Sequence, residues 1–566
     1  MATFFSRRSS FFEHVFLSLE KHPPQPIVWV SVFSGVIALR FFVISASHGL
    51  PSDRFNDLVV YFLQDYFLFG VLLLLLWLWL SSFLSLRVAQ LSHTLLWGSW
   101  LAFIPPAIDV LWTGGSTYWS IYLLDGLGGL FANYITFFGH LPPAVVYFGT
   151  KISVFFGIFF TGLLVFFKTR SLFKVLINTA VVYTIFFVMA SFPSWFGLVS
   201  FLVSDGILPS SVTFANVVGL VASPTSFFGV SFDNISLALS YKFNIVYFVL
   251  IFLLGNILFF FHSRRFFVLL WKNVLRLPQV FFVSGLVLIG LVIGLVIFPP
   301  AYSLFDVFGL FALLVLLISA VCAWSSSVLI NDLFDQKIDR ISNPHRPLVA
   351  GVMSEDSCRQ WIFVFVTLSL LGSLVVHIVF FFLFLLFHIA TTFYSAPPFR
   401  LKRTPFLATA VSAFSSLLFV FCGYLLANPD QSLSFFPWRV FLLLFLTYTL
   451  SLPIKDFRDI SGDRHDGVYT IPVLFGLEWG KVIVGSGVFL SFLSSVFFLN
   501  EAKLFFPSLF FGSLAFWTVL SSKEHSSSDK KIFARLFSPT FYTLAWYIFS
   551  YVFLFGFLCL FFLLPS

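Results

Sequence analysis

An all-α, polytopic membrane fold is predicted by three observations. The chain of 566 residues is 59% hydrophobic and 10% charged, with a mean hydropathy of +1.00. Apolar runs of about 20 residues, the length that spans a bilayer as helix, recur from end to end. Basic residues are confined to short segments between these runs and alternate in density, as topology requires. A soluble chain could not bury so much apolar surface, so the 86 phenylalanines are read as lipid-facing and interhelical packing. The four cysteines, Cys322, Cys358, Cys422 and Cys559, show no CxxC spacing, which argues against a zinc site or a disulfide framework. The net charge of +8 reflects loop topology and not nucleic-acid binding.

Residues 1–264 are predicted to form an extra N-terminal membrane domain. It begins with "MATFFSRRSSFFEHVFLSLEKHPPQP", which lacks a small-residue cleavage site and reads as a cytoplasmic lead-in. Spans are expected near 27–46, 58–83, 93–112, 145–167, 175–200 and 244–262. Six spans put Arg7, Arg8, Arg87 and the Lys168–Lys174 cluster on one side; eight would satisfy the same parity. With six, residues 113–142 and 201–243 are outside loops or re-entrant pieces. "TGGSTYWSIYLLDGLGGLFANY" has the Gly and polar content of broken structure lining a protein-buried region. Asp109, beside the Pro105–Pro106 break, is an intramembrane acid and a functional candidate by default, with Arg40 as a partner or a snorkelling residue. Asp53, Asp57, Asp65 and Asp125 show no motif spacing.

Residues 265–566 are predicted to form a nine-helix bundle with spans near 279–298, 308–331, 361–376, 378–393, 406–426, 438–454, 482–499, 504–521 and 540–563. One set of loops carries Arg264, Arg265, Lys272, Arg276, Lys337, Arg340, Arg346, Arg359, Arg400, Lys402, Arg403, Lys455, Arg458, Arg464, Lys481, Lys523, Lys530, Lys531 and Arg535. The opposite set holds little more than Arg439 and Lys503. The positive-inside rule makes the first set cytoplasmic.

Two acidic clusters end helices on that basic side. In "LINDLFDQKIDRISNPHRP" (329–347), Asn331, Asp335, Asp339 and Asp332 fall at about 0°, 40°, 80° and 100° on one uninterrupted helix, hence on one face. In "LPIKDFRDISGDRHDGVYTIPVLFG" (452–476), Asp456, Asp459 and Asp463 lie within about 60°, with Asp466 extending the arc if the helix survives Gly462 and Gly467. A solvated helix end paired with Lys337 and Arg340 would explain the first cluster alone. Two such faces on one membrane side point instead to a shared site, because like charges so close need cations or water. Carboxylate and amide oxygens are hard ligands suited to Mg²⁺ shared with phosphates, and the neighbouring basic residues make this a diphosphate site.

Four blocks resemble the UbiA superfamily of intramembrane prenyltransferases across roughly residues 265–566. "NDLFDQKIDR" resembles its NDxxDxxxD motif and "DISGD" its second DxxxD motif. "NPHRPLVAG" and "YSAPPFRLKR" resemble two of its loops, and "GDRHDGVYTIPVLFG" the run after the second motif. Two departures stand out: "RPLVAG" lacks a second proline, and Ser461 stands where Glu is common. The N-terminal region has no counterpart.

The resemblance implies two Asp motifs facing across a central cavity, and Mg-dependent transfer of a prenyl group from a polyprenyl diphosphate to a lipid, aromatic or phosphorylated acceptor. It makes Asn331, Asp335, Asp459 and Asp463 the primary metal-site residues, with Asp332 and Asp339 in support. Arg346, Arg400, Lys402 and Arg464 become the diphosphate clamps, with Tyr394 donating a hydrogen bond nearby. Asp335, Asp459, Asp463, Lys402 and Tyr394 carry the ionisation of the allylic C–O bond. Terpene cyclisation or diphosphate elimination on the same scaffold stays open, as does a carrier of polyprenyl phosphates. His345 is a loop residue that could touch phosphate, and His377 and His388 are expected to pack between helices.

Overall fold

The computed structural model describes residues 13–113, 122–124, 126–139, 148–204, 213–223, 226–228, 230–232, 234–298, 306–428, 432–523 and 540–563. Arg7, Arg8, Asp125, Lys530, Lys531, Arg535 and residues 114–121 of the "TGGST…" stretch lie outside them. Two compact units are present. One comprises Met1–Trp271, Ala301–Leu316 and Leu371–Ile378; the other comprises Lys272–Pro300, Leu317–Leu370 and Val379–Ser566. Among the described residues, fourteen helices are long and apolar enough to cross a membrane.

The first unit contains α1 (Pro26–His48), α2 (Phe55–Leu84), α3 (Val88–Gly98), α4 (Ile104–Thr113), α5 (Gly126–Ile135), α6 (Phe148–Thr169), α7 (Leu172–Ala190), α8 (Phe192–Ser204), α9 (Phe214–Ala222) and α10 (Ile235–His262). Its only described strands are the two-residue pair β1 (Ser226–Phe227) and β2 (Val230–Ser231). Six of the fourteen spanning segments fall before residue 265, matching the six expected.

Local chemistry moves their boundaries. The span expected over 175–200 stops at Ala190 and restarts at Phe192. Pro193 has no amide hydrogen for the ladder, and buried Ser191 donates to the Phe187 carbonyl (2.7 Å) while accepting from Trp195 Nε1 (3.1 Å). Helix α10 starts nine residues before the expected 244, at Ile235, because Asn234 caps it by accepting from the Leu237 amide (2.8 Å). Lys242 and Asn244 had masked that start. Lys242 is fully buried, with its ammonium donating to the carbonyls of Val221 and Ser223 (2.7 Å each).

Arg40 forms an ion pair with Asp65 at 2.8 Å and donates to the Ala102 carbonyl at 2.7 Å, and its charge also acts on Asp109. Asp109 accepts from the Gly149 amide at 2.8 Å. Spacing along the chain had given Asp65 no role; the pair forms only because α1 lies against α2.

The second unit holds α11 (Leu277–Ile297), the greater part of α12 (Val307–Phe334), α13 (Gln336–Ser342), most of α14 (Glu355–Val376), α15 (Ile378–Ser395), α16 (Leu407–Ala427), α17 (Trp438–Ser451), α18 (Ile460–His465), α19 (Ile471–Phe498), α20 (Phe505–Ser521) and α21 (Phe541–Leu563). Among the described residues, nine apolar helices thus stand where nine spans were expected, eight of them long and apolar enough to cross a membrane and the ninth, α21, with a shorter apolar stretch. Helix α19 begins eleven residues earlier than predicted, capped at Thr470 and kinked at Gly476 (φ 78°); Glu478 and Lys481 had depressed its apolar signal.

Backbone contact between α11 and α16 sets the centre of this bundle. A Cβ at Gly290 would strike the Val420 carbonyl, and one at Gly423 would strike the Val287 carbonyl. Such small-residue seams let helices approach without a hydrophobic drive from water.

Candidate active site

Both acidic motifs are broken at their central aspartate. Helix α12 ends at Phe334, and Asp335 (φ −103°, ψ 13°) caps α13. Helix α17 runs into a tight turn over Leu452–Arg458, and Asp459 (φ −107°, ψ 11°) caps α18. The single-helix angles used in the sequence reading therefore do not apply. What keeps the register is the amide ladder through each break. Asp335 donates to the Asn331 carbonyl and Asp339 to the Asp335 carbonyl (2.9 Å each), while Asp463 donates to the Asp459 carbonyl (2.8 Å). The two junctions share one sparsely populated backbone conformation, of the kind concentrated at functional sites.

The short helices α13 and α18 then pack together. Gly462 permits it: a Cβ there would meet Ser342 Oγ and lie 2.9 Å from Ile338 Cγ2. Asn343 ties the two motifs directly, its Nδ2 donating to Asp339 Oδ1 and to Asp459 Oδ1 at 3.1 Å each.

Basic side chains close over the acids. Arg346 pairs with Asp332, and with Asp339 at 3.4 Å. Arg400 bridges Asp335 (3.3 Å) and Asp466 (2.7 Å), and Lys402 pairs with Asp335. Arg458 reaches Asp459 at 3.4 Å. Asp332, Asp335, Asp339, Asp463 and Lys402 are all buried, which is tolerable only because opposite charges share the enclosure.

The balance is imperfect at two acids. Burial raises Asp339 to about 7, with Asp335 and Asp459 adding repulsion against the hydrogen bond from Asn343. Burial raises Asp463 to about 8, with Asp456 and Asp459 adding to it. On the basic side, burial lowers Arg346 to about 10, helped by the charges of Arg276 and Arg458, and burial lowers Lys402 against the pull of Asp335.

The structure gathers most of the residues singled out from the sequence: Asn331, Asp332, Asp335, Asp339, Arg346, Arg400, Lys402, Asp459 and Asp463. Asn331 is half-buried and accepts from Ser395 Oγ at 3.3 Å. Tyr394 accepts from Lys455 Nζ at 3.2 Å. Arg464 is exposed on α18 and has no ion pair among the described residues; Arg458 is the arginine beside Asp459. His388 is buried between Ser326 Oγ (3.3 Å) and Ser369 Oγ (3.2 Å), as a packing histidine would be. Sequence reasoning missed Asn343, although it begins the quoted "NPHRP" block. It also missed Arg276, which acts electrostatically on Asp339 from just before α11 with no motif around it.

Among the described residues, no three Asp, Glu, His or Cys side chains converge into a ready metal cage. The donor set still fits a hard divalent cation. It is all oxygen, and Asp339 Oδ2 is buried without a hydrogen bond among the described residues. Repulsion across the motifs is what a cation would relieve. Such a site takes one or two carboxylates and completes its shell with water and phosphate, as Mg²⁺ does.

The UbiA prenyltransferase family model matches residues 287–544. A digeranylgeranylglyceryl phosphate synthase from Methanococcoides burtonii is 30% identical over 246 residues, covering 42% of this chain and 83% of that protein. The chain belongs to the UbiA prenyltransferase family. A second relative, the 2-acylphloroglucinol 4-prenyltransferase of Humulus lupulus, is 29% identical over 254 residues, covering 39% of this chain and 55% of that protein. The chain thus spans about half the length of the first curated relatives it matches. A UbiA homolog from Archaeoglobus fulgidus, bound to DMAPP and Mg²⁺, aligns over 50% of this chain and 97% of its own at 19% identity and a TM-score of 0.36.

Proposed function

We propose that this site transfers a prenyl group from a polyprenyl diphosphate to an acceptor within the membrane, with Mg²⁺ held by Asn331, Asp335, Asp459 and Asp463 and supported by Asp332 and Asp339. The observation that carries the reading is the pairing of three of the four expected clamps with acids of the first motif: Arg346 with Asp332 and Asp339, Arg400 and Lys402 with Asp335. An anionic diphosphate competes for those cations. It gains them only if divalent cations take the carboxylates it displaces, so donor and metal enter together. Bound Mg²⁺ supplies charge neutralisation at the leaving oxygen.

Arg346, Arg400 and Lys402 hold the departing diphosphate, and the Lys455–Tyr394 pair lends a further donor beside it. Arg464, being exposed, is left out of this set. The apolar helices below the motifs keep water from the allylic cation until the acceptor attacks. The loop charges support a cytoplasmic placement of the site. The names of the two relatives, one a glyceryl phosphate synthase and one an acylphloroglucinol prenyltransferase, support a lipid-soluble acceptor without choosing one.

Titration calorimetry of the full chain in nanodiscs tests this, using geranyl S-thiolodiphosphate as a poorly ionising donor. Donor affinity should rise at least tenfold with Mg²⁺, and Mg²⁺ affinity by the same factor with donor, because linkage is reciprocal. Asp335→Asn and Asp459→Asn should each abolish the coupling together with turnover. Metal-independent donor binding, or full turnover in both variants, would refute the reading.

A further inference from the structure

The family match begins at residue 287, yet two helices that frame the first acidic motif have one end in the first unit. Helix α12, of 28 residues, carries Asn331 and Asp332 in its last turn, while its residues up to Leu316 belong to the first unit. Helix α14 begins in the second unit at Glu355, whose carboxylate accepts from Gln336 Nε2 of α13 (2.9 Å). Its residues from Leu371 onward belong to the first.

Within the first unit, two adjacent residues of α10 hold those ends. Tyr241 donates its hydroxyl to the Val376 carbonyl, in the last turn of α14. Lys242 holds the start of α12. Its ammonium lies 5.2 Å from the ring centre of Phe308, in the first turn of that helix. Asp306, which accepts from the Gly309 amide at the head of α12 (2.6 Å), attracts the same ammonium. Phe227 and Phe232 complete an aromatic cage at 5.3 and 5.7 Å. Two N–H bonds go to the carbonyls of Val221 and Ser223, at the electronegative end of α9.

A fully buried ammonium is expensive, and a methionine of similar length would fill the space without desolvating a charge. What the charge adds is direction. Packed apolar helices can shear past one another by small amounts. An ammonium held by two carbonyls on α9 and drawn to Asp306 and Phe308 on the other side fixes where α12 starts. Each residue of a helix adds 1.5 Å, so the place of its start also sets the height of its last turn. We infer that Lys242 is a positioning residue for the metal-and-diphosphate site, setting the axial register at which Asn331 and Asp332 meet the second motif. The inference rests on the prenyl-transfer reading and gives the N-terminal residues a part in it.

The test uses the full chain in nanodiscs and follows the coupled binding of Mg²⁺ and geranyl S-thiolodiphosphate by calorimetry. Lys242→Met should lower the coupling at least tenfold, because misplacement by about 1 Å from a distant change can cost a hundredfold. Asp306→Asn keeps a capping side chain but removes the charge facing Lys242. It should act in the same direction and add nothing to Lys242→Met. Asn244→Leu is the control: it breaks the bond from α10 to the Val60 carbonyl (2.9 Å) and leaves α12 alone. It should lower the unfolding temperature while the coupling stays within twofold of wild type. With Mn²⁺ in place of Mg²⁺ and the analogue bound, the electron-spin zero-field splitting reports ligand geometry; it should change in Lys242→Met and not in Asn244→Leu. A loss of coupling below threefold or an unchanged spectrum in folded Lys242→Met, or an equal loss in Asn244→Leu, would overturn the inference and leave the prenyl-transfer reading standing. If Lys242→Met does not fold, unchanged coupling in Asp306→Asn would overturn it in the same way. Absence of coupling in the wild type would remove both.

Discussion

Replacing Asn343 by Leu separates the contribution of the inter-motif bridge from that of the acids themselves. The substitution keeps the side-chain volume and removes both N–H···O bonds, each 3.1 Å long, to Asp339 and Asp459. A hydrogen bond to a charged acceptor contributes about 1.5–3 kcal/mol. Both bonds here are only partly buried, so the lower end applies, about 3 kcal/mol for the pair. Two carboxylates on opposite motifs then face each other without a donor between them. If the bridge sets the spacing for metal and diphosphate, the loss falls on their coupled binding, roughly a hundredfold in affinity.

The same bond opposes the rise of Asp339, which burial already takes to about 7. Its removal moves that group higher still and shifts the onset of metal-dependent donor binding to higher pH. Calorimetry with the thiolo-analogue at several pH values, alongside thermal unfolding in nanodiscs, measures both effects. Binding within threefold of wild type, with an unshifted pH onset, would refute the bridging role.

Four further outcomes are expected. In the wild type, Mg²⁺ affinity should climb between about pH 6 and 9, because Asp339 and Asp463 must lose protons at about 7 and 8 to take a cation. The metal-free protein should show the opposite trend. Acids raised by the fold contribute stability that is fully present below their unfolded pKa of about 4 and lost as the pH rises through 7 and 8, so its unfolding temperature should fall over that range and Mg²⁺ should restore it. Gly462→Ala should push α13 from α18 and lower coupled donor binding at least tenfold while the protein stays folded, since the new Cβ lies 3.0 Å from the Ile338 carbonyl. Gly423→Ala should leave the site chemistry intact but destabilise the α11–α16 seam by roughly 1–3 kcal/mol, read as a lower unfolding temperature.

Much of this architecture was legible in the chain because lipid imposes a strong one-dimensional code. A spanning helix must satisfy its own backbone and present apolar side chains over about 20 residues. Nine C-terminal helices and six N-terminal spans could therefore be counted from hydropathy and loop charge. The errors fell where that code is weak: at α10 and α19, which carry Lys242, Asn244, Glu478 and Lys481 two to three turns from their starts, and at Ser191–Pro193, where one apolar run holds two helices. The acidic motifs were legible for a related reason. Carboxylates at the membrane edge are costly enough that two clusters on one side already imply a shared site.

Tertiary structure decided what depends on distances between residues far apart in sequence. No local pattern points to Asp65 as an ion-pair partner of Arg40; the packing of α1 against α2 makes that pair. No motif assigns Asn343 to bridge Asp339 and Asp459, 116 positions from the latter, and none separates half-buried Arg346 from exposed Arg464. The break at Asp335 and at Asp459 was also hidden, because helix propensity does not register a single residue turned to cap the next helix. Composition and periodicity report what each segment must face, lipid or water, whereas the pairing of charges inside the bundle is settled only when the helices meet.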